Sequence, residues 1–474
     1  AYGLGLASMY TQQFGDPVAD AGKTVLGVFF QDAWRIAPRL TLNLGARYDV
    51  EWADSLTPGS DAMRGVFERL SLRRSPPVDR NNIQPRAGFA YQVLRDGKLT
   101  VRGSYGVFYD RLLNLTVYMG AASDGVQITR VTLPGAAAAA VFQTPAQKFA
   151  EFPASGGSTG LTAFSNNWRL GNSQQANFTL SSQIRPGVTL DAAYVWVKGT
   201  HLARSRDYNP TDSQQAAAFL GAGNSPATLL ARNYFRPEPA VSEAMVVEGS
   251  ASSAYNGLRL GIRGEVSSSL SVNASYTFSK AIDDAEEIFP HTRAQDMRNF
   301  RAERGLALYD QRHRLVFAGI YRLRRPATTP LSRLWNNWSV APHLELGSGR
   351  PVNVLLGSDN NLDQDPGSNR PDLVPAGAAN SYSTRYGAFA APVLGRAGNL
   401  GRNAFAGPGY ASLNLRVQRD FRISETLDCQ FIAESFNLFN RTNVRSVNPN
   451  YQSAGEPLSA FDPRQIQVGV RLRF

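Results

Sequence analysis

The sequence predicts an all-β protein, a transmembrane antiparallel β-barrel, and three observations carry that prediction. Apolar and polar residues alternate in thirteen separate segments, which at 180° per residue places one greasy face on each strand. Short turns and long loops take turns between the segments, so one edge of the sheet is trimmed and the other elaborate, as in barrels of this kind. Mean hydropathy is -0.27, and the longest plainly apolar run, 136–142, is far short of the roughly 18–20 residues a spanning helix needs. A barrel strand is only half apolar and leaves a weak hydropathy signal, so that shortfall excludes helical spans and leaves a barrel open.

The alternating segments lie at 25–36, 40–50, 83–93, 99–109, 170–184, 188–196, 258–266, 270–278, 315–323, 338–346, 411–421, 427–438 and 466–474. In 40–50 every even position is apolar and every odd one is polar or Gly. The tight connections are Ala37-Pro38-Arg39, Arg95-Asp96-Gly97-Lys98, Arg185-Pro186-Gly187, Ser267-Ser268-Ser269 and Ile423-Ser424-Glu425. The long loops span about 53–82, 111–168, 201–254, 283–311, 349–408 and 440–463. Helical periodicity is nearly absent, with a short helix expected near 212–220.

Aromatic residues fall near strand ends, among them Trp34, Tyr48, Trp52, Tyr105, Tyr109, Tyr194, Trp196, Tyr276, Phe278, Trp335 and Trp338, where amphipathic rings suit the two bilayer interfaces. The opposite face carries residues such as Arg259, Arg263, Glu265, Asn414, Arg416 and Gln418, fit for a hydrated lumen or an ordinary solvated sheet face. If the short turns are periplasmic, thirteen strands start outside and finish inside. A single-chain barrel has an even count, so the chain is expected to be the C-terminal part of a larger barrel.

Composition narrows the function. The chain carries 49 Lys plus Arg against 38 Asp plus Glu, a formal charge of +11, yet only five are lysines and the arginines are spread. Nucleic acid is not the expected partner, because a phosphate-tracking face shows local basic runs. Cys429 is the only cysteine, and His201, His291, His313 and His343 stand singly, so neither a disulfide nor a zinc site is expected. Residues 156–160 match G-x-S-x-G, but lack the strand before and helix after that a nucleophile elbow requires. The Ala21-Gly22-Lys23-Thr24 run fails as a P-loop because Pro17 stands where its first Gly belongs. No enzyme is expected.

Asp359, Asn361, Asp363 and Asp365 alternate oxygen donors in one tight run, a candidate structural calcium loop, although Gln364 and Arg370 occupy the EF-hand Gly and Glu positions. An Asx-rich turn without metal is the competing reading. Asp283, Asp284, Glu286 and Glu287 are expected to be solvated loop charge.

Several stretches together and in order resemble the barrel of TonB-dependent outer-membrane receptors, the Oar-like class especially. They are Phe29-Phe30-Gln31-Asp32-Ala33-Trp34-Arg35 with Leu44-Gly45-Ala46-Arg47-Tyr48-Asp49, Gln84-Pro85-Arg86-Ala87-Gly88-Phe89, Gly103-Ser104-Tyr105-Gly106-Val107-Phe108-Tyr109-Asp110, Tyr309-Asp310-Gln311-Arg312-His313-Arg314, Asn369-Arg370-Pro371-Asp372 and Glu434-Ser435-Phe436-Asn437-Leu438-Phe439-Asn440. The final strand, with Ile466, Val468, Val470, Leu472 and Phe474 at every second position, resembles the β-signal read by the barrel assembly machinery. The resemblance implies a 22-stranded barrel of which thirteen strands are present, with the plug and its TonB-contacting segment absent from this chain. It implies residence in bacterial outer-membrane lipid and energy-coupled uptake of an unidentified extracellular ligand, with no cofactor. Loop residues Tyr234, Phe235, Arg236, Asn360 and Arg370 are the candidate ligand contacts. The competing functions are a surface or adhesion protein that binds partners through its loops, and a passive porin.

Overall fold

A computed structural model describes residues 9–16, 18, 22–56, 60–123, 127–134, 160–225, 235–285, 293–323, 336–363 and 365–474. Its main body is one antiparallel meander in which all thirteen expected strands pair in sequence order. They are β1 (Lys23–Ala37), β2 (Leu40–Ala53), β3 (Ile83–Gln92), β4 (Leu99–Tyr109), β5 (Asn172–Arg185), β6 (Val188–Asp207), β7 (Ala244–Ser267), β8 (Leu270–Asp283), β9 (His313–Leu323), β10 (Trp338–Gly347), β11 (Tyr410–Arg422), β12 (Asp428–Phe436) and β13 (Gln465–Arg473). β1 and β13 are the two edges of this path, and they do not pair with each other.

Register explains why the alternation matters. Phe178 of β5 stands opposite Tyr194 of β6, Tyr194 opposite Leu258 of β7, and Leu258 opposite Phe278 of β8. Farther round, Leu315 faces Leu346, Leu344 faces Leu413, and Phe431 faces Val470. A one-residue slip would move every one of these side chains to the other face. The result is a continuous apolar surface that remains exposed, including Phe178, Leu180, Leu258, Leu260, Ile466 and Val468. A contiguous apolar face of that extent marks a surface built for a nonaqueous neighbour, here the hydrocarbon of a bilayer. No helix among the described residues is long and apolar enough to cross a membrane.

The turns obey local chemistry. Pro186-Gly187 joins β5 to β6, with Gly187 at φ 80°, and Gly97 takes φ 72° in the turn between β3 and β4. Left-handed backbone of this kind costs Gly little and strains residues with a Cβ.

Water-excluding cores form on the long-loop side. Helix α1 (Asp61–Arg69), capped by the Ser60 hydroxyl accepting from Met63 N, buries Met63, Val66 and Phe67 against Leu161, Ala163, Val241 and Val246. Helix α2 (Asn114–Ala122) places Val117 beside Phe164, Trp168 and Val247. The expected helix near 212–220 is α3 (Ser213–Gly221), capped by Asp212. Two boundaries need correction: β6 continues to Asp207 and β7 begins at Ala244, so the span 201–254 is loop only in its middle. There a short strand, Leu161–Ser165, adds in parallel to Ala244–Val247 of β7, burying both faces of that extension.

Candidate functional site

The inner face of the sheet is polar and internally paired. Asn177 Nδ2 donates to Ser104 Oγ at 2.6 Å and Ser181 Oγ donates to Asp191 Oδ1 at 2.6 Å. Arg47 pairs with Asp49 at 2.7 Å, Arg314 with Glu345 at 2.9 Å and Arg416 with Glu434 at 3.5 Å. Over β1 to β7 this face opens into a concavity of about 980 Å³ whose lining includes Asn43, Arg47, Arg86, Arg102, Asn177, Thr179 and Arg259. Arg86 Cζ lies 4.7 Å from the centre of the Phe108 ring. The wall mixes amide, hydroxyl and guanidinium groups with apolar side chains such as Phe29, Phe108, Val195 and Val197, a lining that can contact polar solutes; among these residues no nucleophile and base stand paired for covalent chemistry.

At the loop-side end, three long loops are cross-linked by buried ion pairs. Arg236 Nη1 donates to Asp207 and to the Asn209 carbonyl, with its side chain wholly buried. Arg370 forks onto Glu303 at 2.8 and 2.9 Å while its Nε donates to the Leu400 carbonyl at 2.9 Å. Arg402 pairs with Asp283, and Arg293 with Glu243 at 2.9 Å. Burial works to lower the Arg293 pKa, but the carboxylates of Glu243, Asp365 and Asp207 outweigh it and hold the guanidinium charged. Such charges are tolerated away from water only while both partners are present.

Several of the expected ligand contacts have protein partners in this geometry. Arg236 and Arg370 are buried loop ties, and Asn360 Nδ2 reaches the carbonyls of Pro392, Val393 and Arg396 at 3.1–3.3 Å. Phe235 meets Phe219 edge-on at 5.5 Å beside Ala216 and Leu362. Tyr234, Trp335, Glu286, Glu287 and the Ser158 segment lie outside the described residues. Asp283 and Asp284, expected to be solvated, are instead paired with Arg402 and with Arg204.

Asp363 and Asp365 each close an Asx turn onto the backbone N two residues on, and Asp359 reaches the N four residues on. Asp359 Oδ1 accepts from Asp363 N, Asp363 Oδ1 from Asp365 N, and Asp365 Oδ1 from Gly367 N, all at 2.9–3.0 Å. Asn361 Nδ2 donates to Asp363 Oδ2 at 3.0 Å and to the Gln295 carbonyl at 2.7 Å. Burial, followed by the neighbouring Asp359 and Asp365, pushes the Asp363 carboxyl up to about 8. Among the described residues no three His, Cys, Asp or Glu side chains are placed to hold a metal. Glu303, Gln295, Arg293 and Arg402 carry the loop ties and belong to no motif; the ties from one loop to another join residues 50–119 positions apart, so only the fold reveals them.

A model of the outer membrane beta barrel domain family matches residues 1–467. Over 99 residues the chain is 35% identical to the TonB-dependent transporter Oar of Myxococcus xanthus, an overlap of 21% of this chain and 8% of that protein. The structure of the outer membrane transporter YddB from Escherichia coli superposes with a TM-score of 0.53 at 10% identity, covering 95% of this chain and 45% of that one. The FrpB iron transporter from Neisseria meningitidis gives a TM-score of 0.48 at 12% identity, covering 96% and 45%. The chain therefore spans less than half the length of these relatives. With the exposed apolar belt, the thirteen-strand meander and the family match together, the chain belongs to the outer membrane β-barrel domain family and resides in the bacterial outer membrane.

Proposed function

We propose that the chain is the barrel portion of a TonB-dependent outer-membrane receptor that takes up an extracellular ligand by energy-coupled transport. The observation that carries this reading is the pairing of a polar inner wall holding a concavity of about 980 Å³ with a structured cap of long loops at one rim. The loops capture ligand; a plug domain, supplied by the rest of the receptor and pulled by the TonB complex, opens the lumen. No covalent step and no cofactor is called for. The barrel assembly machinery inserts the sheet by reading Ile466, Val468, Val470, Leu472 and Phe474, which the edge strand β13 and its end leave exposed.

The test is uptake by cells carrying the full-length receptor, with and without a functional TonB system. Ligand accumulation that disappears without TonB supports energy coupling. Accumulation unaffected by TonB loss, with open-channel conductance in planar bilayers, identifies a passive porin; surface binding with no uptake identifies an adhesion protein.

A further inference from the structure

The outward face of the sheet holds one carboxylate inside its apolar belt. On β1 the outward positions run Leu26, Val28, Phe30, Asp32 and Trp34, opposite Val50, Tyr48, Ala46, Leu44 and Leu42 of β2. Asp32 is exposed on that face, and its partner Leu44 is followed by Ala87 on β3 and Tyr105 on β4. Asp32 lies five residues from Ala37, and Leu44 four from Leu40, the short-turn ends of their strands. A tilted barrel strand crosses the hydrocarbon in about 9–11 residues, so the carboxylate sits near the bilayer midplane. Within that belt the outward positions of the other strands in the meander include no Asp or Glu.

The described sheet offers Asp32 no counter-charge. It makes no hydrogen bond or ion pair among the described residues. The basic residues of β1, β2 and their turn are engaged elsewhere: Lys23 with Glu51 at 3.7 Å, Arg35 with the Pro38 carbonyl at 2.8 Å, Arg39 with the Val93 carbonyl at 3.2 Å and Arg47 with Asp49 at 2.7 Å. β1 has β2 as its one strand neighbour in the meander, so the other side of its backbone has no ladder partner at the depth of Asp32. Hydrocarbon makes both an open ladder and a lone charge costly. The other free edge, β13, does not meet these needs: in a thirteen-strand antiparallel meander it runs the same way as β1, and its outward Ile466, Val468, Val470 and Leu472 are uncharged.

We infer that the free edge of β1 receives a strand of the receptor carrying an outward Lys or Arg level with Asp32, and that the two side chains form an ion pair inside the bilayer. The inference rests on the reading above, that this chain is the barrel portion of a larger receptor. The occupant is a strand because a strand completes the ladder of N–H and C=O groups that an edge presents. It carries a cation because a carboxylate at this depth is held by an opposite charge. The pair also sets register: a slip of one residue would turn the cation toward the lumen and leave Asp32 facing lipid alone.

The experiment compares the full-length receptor with its variants by urea unfolding in phospholipid vesicles. Removing one member of an ion pair away from water strands the other, so Asp32→Leu is expected to raise the unfolding equilibrium constant ~100-fold or more, and the isosteric Asp32→Asn to act in the same direction. A carboxylate facing lipid alone predicts the opposite sign, because Asp32→Leu would then take a charge out of hydrocarbon and stabilise the barrel. Unchanged or raised stability overturns the pair. A second measurement keeps Asp32 in place: Phe30→Cys, the next outward position on the same edge, is labelled with a benzophenone maleimide, irradiated in vesicles and mapped by mass spectrometry. Attachment to a receptor strand outside this chain, with an outward Lys or Arg beside the attachment point, supports the inference. Attachment to a strand without that cation, or to lipid alone, overturns it. Attachment to β13 overturns it as well and shows the chain closing its own barrel, which removes the larger-barrel reading; a failed uptake test removes transport and leaves the Asp32 result standing. Should neither variant insert, the cross-link decides alone.

Discussion

Arg370 and Glu303, 67 residues apart, meet as a two-pronged buried ion pair, Nη1 to Oε2 at 2.9 Å and Nη2 to Oε1 at 2.8 Å. The contact ties the loop after β10 to the loop after β8, and Gln295 reinforces it by accepting from Arg370 N at 2.6 Å while its own N donates to Glu303 Oε1 at 3.0 Å. Geometry and burial make this a support for the cap, with its polar groups spent on protein partners.

Removing one member should therefore loosen the cap. Both side chains are at most 4% exposed, so Arg370→Ala or Glu303→Ala leaves a buried unpaired charge and is expected to cost about 3–5 kcal/mol of local stability. The check is limited proteolysis of intact receptor in detergent: cleavage within 284–312 and 348–409 should accelerate while the heat-modifiable mobility of the barrel persists. R370M/E303L, apolar on both sides, should recover much of the protection. If Arg370 were a ligand contact, Arg370→Ala would abolish binding with unchanged cleavage.

Asp363 should make the same cap sensitive to alkali. Its carboxyl is raised from an ordinary 3.8 to about 8, by burial first and by Asp359 and Asp365 after it. The folded state thus holds a proton that the unfolded state releases at lower pH, and stability falls as pH climbs from about 4 to about 8, then levels. Protection factors of amides in 359–367, which divide out the intrinsic base catalysis of exchange, should be higher at pH 5 than at pH 9. Asp363→Asn should match the parent at pH 5 and exceed its protection at pH 9. Calcium added at pH 9 also tests the candidate metal loop: recovered protection of the parent, lost in D363N, would show cation binding, and no recovery leaves the loop with its Asx turns and no metal.

The outward and inward faces should respond oppositely to charge. Leu260 lies in the middle of the apolar belt on β7, opposite Ala192 and Tyr276. Leu260→Arg should destabilise the folded barrel by about 2–4 kcal/mol, the penalty for a cation near the bilayer midplane. Asn273→Arg, on the polar inner face of β8, should stay within about 0.5 kcal/mol. Urea unfolding in phospholipid vesicles measures both.

What could be read in the residues was the part governed by the period of two. All thirteen strands were legible because each has one face toward lipid and one toward the lumen. Where β7 runs on as Ala244-Met245-Val246-Val247 the signal vanishes, since both faces are covered, by Leu161–Ser165 and the loop cores, and alternation has no cause. Helix α1 did leave a trace, with Met63, Val66 and Phe67 at helical spacing, but in so short a run the pattern is weak. The ion pairs of the cap were invisible because they join distant loops. Arg236, Asn360 and Arg370, expected as ligand contacts in the loops, have polar groups bonded to other loop residues in the structure, partners that no sequence pattern announces.

The last strand carries a prediction about assembly rather than stability. Along β13 every residue is exposed, and Phe474 is fully so, while the strand's inner partner β12 is paired throughout, Phe431 with Val470 and Ala433 with Val468. Its outward side chains alternate as those of the other strands do, which suits lipid contact, and recognition during assembly is a second role to test. Replacing Phe474 with Ser should leave the register of β12 and β13 intact once folded, yet slow insertion of the full-length receptor into outer membranes. The readout is the fraction of newly made protein that becomes heat-modifiable over time. Val468→Ser, in the lipid-facing belt, should lower stability as well as insertion. Unchanged insertion of Phe474→Ser would remove the assembly role of the terminal aromatic and leave lipid contact as the reason for the pattern.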